Sequence, residues 1–206
     1  MATERLQMRG AAGAIEVLVD APAGAPRGLA LIAHPHPLYG GTAENKVVQT
    51  LAKTFVELGY LALRPNFRGV GGTEGQYDRG EGETEDLLAV IAQAHERYGE
   101  LPLVLAGFSF GAYVQTRVAQ RVAPERMVLV APATGHLSGD RSYDTPAVPP
   151  GTLVIHGEKD ETVPLANVLD WARPQELPIV VVPGAEHFFH RRLHLIKNIV
   201  RNAWPS

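Results

Sequence analysis

In Leu103-Val104-Leu105-Ala106-Gly107-Phe108-Ser109-Phe110-Gly111-Ala112, a run of apolar residues gives way to a glycine-flanked serine and then to helix-like spacing. Residues 103–106 are apolar without alternation, as a strand covered on both faces must be. From 110 to 122 the apolar residues recur three or four apart, which predicts a helix. Between the two, G-x-S-x-G sets Ser109 on a sharp strand-to-helix turn. Glycine is needed two residues to either side because neighbouring chain must pass close to such a turn. A helix N-terminus beside the hydroxyl, with free N–H groups and the positive end of the helix dipole, favours a negative oxygen there. The same pentapeptide also describes a serine that merely caps a helix between two turn glycines, so the rest of the chain decides between the two.

Working outward, strands are expected at 15–19, 29–33, 61–63, 127–130, 153–155 and 179–182, and helices at 44–58, 84–98, 165–172 and 190–203. Gly59 and Gly99 stand where helices stop. Strands and helices alternate from one end to the other, which predicts an α/β fold with a mostly parallel central sheet and helices on both faces. Residues 131–151, rich in Pro, Gly, Ser, Thr and Asp, read as an irregular loop too short for a helical cap over the site. No repeat or linker interrupts the pattern, and a single domain over 1–206 is expected.

Composition narrows the function. A net charge of −3, with no run of like charges, argues against a nucleic-acid partner. Cys 0 excludes disulfides, thiolate metal sites and a cysteine nucleophile, and fits the cytoplasm. Residues 1–13 lack the apolar core of a secretory signal, and no run approaches the ~18 apolar residues of a membrane span, so no membrane partner is expected.

A serine hydroxyl is a weak nucleophile until a base takes its proton, so a histidine and an acid to orient it should follow Ser109, acid first. In Leu153-Val154-Ile155-His156-Gly157-Glu158-Lys159-Asp160-Glu161, an apolar strand runs into a glycine turn with acids at the strand's carboxyl end, where ligands meet open α/β sheets. Asp160 is the expected acid, with Glu158, Glu161, Asp140 and Asp144 as competitors. Past the strand at 179–182, Pro183-Gly184-Ala185-Glu186-His187-Phe188-Phe189-His190 sets His187 in the loop at the sheet edge, as the expected base, ahead of His190. His95, His136 and His156 read as surface or structurally bonded imidazoles. His190 and His194 share a helix face with four-residue spacing, but no carboxylate or cysteine stands at ligand spacing beside them, so no metal and no cofactor is expected.

The strand at 29–33 runs into His34-Pro35-His36-Pro37-Leu38-Tyr39-Gly40-Gly41. Pro35 and Pro37 carry no N–H, which leaves the backbone of His34, His36 or Leu38 as donors to a developing oxyanion. His36 is the first choice and Leu38 the second, with the Phe110 N–H as the other half of the hole. Tyr39, Phe108 and Phe188 are candidate substrate-binding residues, although aromatics at such positions more often pack a core. Arg64, Asn66 and Arg68 sit in a glycine-rich turn, where structural hydrogen bonding is favoured over binding of an anion.

These residues resemble the α/β-hydrolase superfamily, and in particular small, lidless bacterial serine hydrolases related to dienelactone hydrolases. Besides Gly107–Gly111, the resemblance rests on His34-Pro35-His36-Pro37, Arg64-Pro65-Asn66-Phe67-Arg68-Gly69-Val70-Gly71, His156-Gly157-Glu158-Lys159-Asp160 and Gly184-Ala185-Glu186-His187-Phe188, and covers nearly the whole chain. It implies hydrolysis of a small acyl ester or thioester through an acyl-enzyme, with carboxylesterase as the usual activity. Dienelactone hydrolases proper carry cysteine where Ser109 stands, and dehalogenases and epoxide hydrolases need an aspartate there, so neither substrate transfers. Acyl transfer, peptidase activity and a non-catalytic binding role on the same fold are the alternatives.

Overall fold

The computed structural model describes residues 3–204; Met1, Ala2, Pro205 and Ser206 lie outside the described residues, and with them the ends of the domain expected over 1–206. Ten strands are described: β1 (Thr3–Gly10), β2 (Gly13–Asp20), β3 (Gly28–Ala33), β4 (Tyr60–Pro65), β5 (Leu103–Phe108), β6 (Arg126–Val130), β7 (Gly135–His136), β8 (Ser142–Tyr143), β9 (Leu153–Gly157) and β10 (Ile179–Val182). Five α-helices join them: α1 (Lys46–Glu57), α2 (Glu81–Tyr98), α3 (Phe110–Val118), α4 (Leu165–Ala172) and α5 (Leu193–Ala203).

Eight strands form one sheet in the order β1-β2-β4-β3-β5-β6-β9-β10. The β1–β2 and β2–β4 pairings are antiparallel, and the others are parallel. The fully apolar strand read at the serine motif lies in the middle of this sheet, between β3 and β6. Its side chains feed two cores. On one face Leu105 packs with Leu87 of α2 and Val114 of α3. On the other, Val104 and Ala106 pack with Val48 and Phe55 of α1 and Ile196 of α5. Burial on both faces explains why β3, β4 and β5 read as continuous apolar runs.

Local chemistry sets the helix ends. The Asn45 side chain accepts the N–H groups of Val47 and Val48, starting α1. The Glu83 carboxylate accepts from the N–H groups of Asp78 and Gly80, so α2 begins three residues before the expected 84. Helix α3 stops at Val118 rather than 122; the chain tightens through i→i−3 bonds from Gln120 to Arg117 and Arg121 to Val118 ahead of Pro124. Helix α5 starts at Leu193 rather than 190. Phe189 and Arg191 have φ of 53° and 61°, and the Glu186 carboxylate takes the N–H of His190, which makes these residues a turn.

Strand β1 has no counterpart in the expected elements. It forms a full-length hairpin with β2, from Thr3 opposite Asp20 to Gly10 opposite Gly13. In the irregular segment 131–151 the one ordered feature among the described residues is the short β7–β8 pair.

Candidate active site

Ser109 follows β5 directly and has φ 56° and ψ −119°, a backbone conformation that L-residues rarely adopt. Its N–H donates to the Val130 carbonyl at 2.9 Å, and its carbonyl accepts from Ala133 and Tyr113, so the strained turn is held from both sides. A Cβ on Gly111 would run into the Ala33 and His34 carbonyls, and one on Gly107 would come within 2.6 Å of the Ala112 nitrogen. That close approach is the physical reason for glycine at both positions.

His187 leaves the loop after β10 and points to the same spot. Its Nε2 lies 3.1 Å from Ser109 Oγ, and its Nδ1 lies 2.7 Å from Asp160 Oδ2. Asp160, in the loop after β9, accepts on Oδ1 from the N–H groups of Thr162 at 2.9 Å and Val163 at 2.8 Å. These bonds fix the carboxylate so that Oδ2 faces the imidazole. With Asp160 accepting at Nδ1, the neutral ring carries its proton there and leaves Nε2 as the acceptor for the serine proton. All three residues are more than nine-tenths buried, at the carboxyl ends of three adjacent or near-adjacent parallel strands.

The competing acids are engaged or exposed. Glu158 accepts the Gly184 N–H at 2.7 Å and so ties the loop that carries His187 to the β9 end. Glu161 is exposed. The alternative base, His190, is exposed and pairs with Glu186 at 3.1 Å. His156 is fully buried; its Nε2 lies 3.0 Å from the Val163 carbonyl and 3.7 Å from Asp160 Oδ2, beneath the acid loop. Burial lowers its pKa.

The two expected backbone donors come from the start of α3 and from the loop after β3. Phe110 opens α3, so its N–H has no intrahelical acceptor. The Leu38 N–H donates to His36 Nδ1 at 3.3 Å, whereas among the described residues the His36 N–H has no acceptor in the chain. Leu38, the second choice, is therefore occupied and His36 is free. A Cβ on Gly41 would strike the Pro35 carbonyl, so the loop after β3 closes on itself and is held in shape.

Of the three aromatics expected to bind substrate, Tyr39 and Phe188 are exposed at the rim. Phe108 is not a pocket wall. It has no exposed surface and packs beneath the imidazole, with ring centroids 4.8 Å apart, because the last residue of a doubly covered strand faces the core. Arg64, Asn66 and Arg68 are committed to the fold: Arg64 to Asp20 and the Ala43 carbonyl, Asn66 to Glu16 and the Ala43 N–H, and Arg68 to Asp86. Tyr77, Tyr113, Tyr143 and Arg141 also stand beside the site, on the wall of a cavity that includes His36. Sequence reading missed them, since they come from separate segments that only the fold brings together.

A mostly parallel sheet with helices on both faces and a serine on a strained turn past a central strand define an α/β-hydrolase of the serine type, here without a lid domain. The chain belongs to the hydrolase family described as serine aminopeptidase, S33, whose sequence model matches residues 24–139. A serine hydrolase homologue from Coxiella burnetii is similar over 98% of both chains, at 41% identity and a TM-score of 0.86. An α/β serine hydrolase without lid from Xanthomonas campestris is similar over 98% of this chain and 94% of its own, at 34% identity and a TM-score of 0.87. An uncharacterized protein of Rickettsia prowazekii is 35% identical over 173 residues, 78% of this chain and 71% of that protein.

Proposed function

We propose that the protein hydrolyses carboxylic esters, or thioesters, of small acyl groups through an acyl-enzyme, with Ser109 as nucleophile, His187 as base and Asp160 as the orienting acid. The observation that carries this reading is the continuous line from Asp160 Oδ2 through the His187 ring to the hydroxyl of a strained serine, with separations of 2.7 and 3.1 Å.

In the first half-reaction Ser109 Oγ attacks the acyl carbonyl and its proton passes to His187 Nε2, while the Asp160 charge stabilises the imidazolium. The carbonyl oxygen becomes an oxyanion between the N–H groups of His36 and Phe110. The carbon–oxygen or carbon–sulfur bond then breaks, and His187 returns the proton to the leaving group. Water repeats the sequence on the acyl-enzyme and releases the acid. A rim without a lid suits small acyl substrates. An enzyme of one domain over 1–206 that works in the cytoplasm belongs to the same reading; no helix of the described residues is long and apolar enough to cross a membrane.

Ser109→Ala should lower p-nitrophenyl acetate hydrolysis at least about 10⁴-fold while leaving the folded protein intact by circular dichroism. A fluorophosphonate probe should label Ser109 alone. Full activity in the variant, or labelling elsewhere, would overturn the assignment. The description of the family as a serine aminopeptidase gives a second reading, cleavage of an N-terminal residue by the same chemistry. Aminoacyl p-nitroanilides assayed beside the p-nitrophenyl ester separate the two.

A further inference from the structure

A cavity of about 840 Å³ opens beside the loop after β3, with His36 in its wall. Four separate segments build it: His36 and Tyr39 after β3, Tyr77 ahead of α2, Tyr113 one turn into α3, and Arg141 and Tyr143 around the β7–β8 turn. The rings form two groups joined through the buried Phe110 ring, 4.9 Å from His36 and 5.9 Å from Tyr113. His36 lies 4.8 Å from Tyr39 and 4.6 Å from Tyr77 between centroids, and Tyr113 lies 5.0 Å from Tyr143.

Arg141 is the partly buried cation of this wall. Its guanidinium carbon sits 4.7 Å from the centre of the Tyr39 ring. Its Nη2 donates to Ser138 Oγ at 2.6 Å and its Nε to the Ser138 carbonyl at 3.3 Å. Stacking and these bonds hold the group in one orientation and leave Nη1 uncommitted. Among the described residues no carboxylate comes within 4.0 Å of it. Its charge reaches the oxyanion loop: burial first, then Arg141, pushes the His36 imidazole down to about 4. With Nδ1 accepting the Leu38 N–H, the neutral ring carries its proton on Nε2. The cavity's other charged residues are Asp78, Arg79 and Asp140, all exposed, with a sum of −1. Asp78 is tied to the Gly82 N–H at 3.1 Å and lies 3.9 Å from Arg68.

We infer that the acyl part of the substrate occupies this cavity and carries a carboxylate held by Arg141 over the Tyr39 ring, so that half-esters and half-thioesters of dicarboxylic acids are the preferred class. The inference rests on Ser109 acting as the nucleophile. A guanidinium fixed by stacking, with an unused N–H edge, matches a carboxylate in geometry and charge, and its orientation is set before the ligand arrives. A wall of four tyrosines, a histidine and a cation suits a long alkyl chain poorly and a short acyl group with a polar end well.

The test compares monomethyl glutarate with methyl butyrate by pH-stat at low salt, in the wild type and in Arg141→Gln, Arg141→Lys and Arg173→Ala. The ratio of kcat/KM for the half-ester over the neutral ester should fall about tenfold or more in Arg141→Gln, mainly through KM, as expected for losing one charge-assisted contact. It should recover in part in Arg141→Lys and stay unchanged in Arg173→Ala, an exposed arginine paired with Asp170 that is not part of this wall. An equal ratio in the wild type and Arg141→Gln, or a wild type that turns over methyl butyrate but not the half-ester, overturns the inference and leaves the hydrolase reading standing. Failure of both esters together with no fluorophosphonate label on Ser109 overturns both.

Discussion

At the scale of single residues, the site holds its strain at Ser109. A φ of 56° with ψ −119° on a residue with a Cβ costs on the order of 1–3 kcal/mol, and glycine adopts the same angles freely. Ser109→Gly should therefore be more stable than Ser109→Ala by about 1 kcal/mol, after glycine's own entropy cost, while both lack hydrolytic activity. Urea midpoints of the two variants check this; an equal or lower midpoint for glycine would show that the turn is unstrained. Ser109, His187 and Asp160 were legible because each follows an apolar strand into a short glycine turn, and chain order alone ranked them. Burial of Phe108 was not legible, because a residue one position before the serine faces the core or the pocket according to the strand's exact end. Arg141, Tyr77, Tyr113 and Tyr143 did not stand out in the sequence, since a cavity wall built from four segments exists only after folding.

At the scale of elements, the antiparallel edge is held by a pair the sequence did not announce. Arg64 of β4 reaches Asp20 of β2 through Nε at 3.0 Å and Nη2 at 2.7 Å, both side chains nearly buried, while Thr3 of β1 donates to the other carboxylate oxygen at 2.6 Å. Removing one partner leaves a buried charge alone, so Asp20→Ala should cost about 3–5 kcal/mol, whereas Asp20→Ala with Arg64→Met should recover much of it. Chemical denaturation of the two variants tests this; if the double variant is no more stable than the single one, the pair contributes more than its own desolvation. The parallel strands were readable from their apolar runs because both faces are covered. Strand β1 was not: only Leu6 and Met8 turn toward the core in Thr3–Gly10, and an edge strand with one thinly covered face leaves almost no periodicity. Helix limits shifted wherever a side chain, such as Glu83 or Glu186, claimed a backbone N–H that a pattern of apolar residues cannot reveal.

At the scale of the whole molecule, the loops that form the site also set how stability depends on pH. His34 is fully buried, with Nδ1 donating to the Pro35 carbonyl at 2.6 Å and Nε2 accepting the Phe67 N–H at 2.9 Å. The ring has no free position for a second proton, and desolvation pushes it down to about 4. His36 is pushed to about 4 as well, and burial lowers His156. In the unfolded chain these imidazoles titrate near the ordinary value of about 6.5. Above that pH neither state binds the protons and their contribution to stability is complete. As pH falls from about 6.5 toward 4 the unfolded chain takes up protons that the folded one refuses, so stability is lost with decreasing pH. Near pH 5, unfolding should take up about two protons from His34 and His36, with His156 adding to them, a slope of roughly 3 kcal/mol per pH unit. Urea titrations at pH 7, 6, 5 and 4.5 measure that slope directly. A flat curve between pH 7 and 5 would show that the imidazoles beside the site accept protons without unfolding, and that the loop after β3 is not rigid enough to present a fixed oxyanion donor.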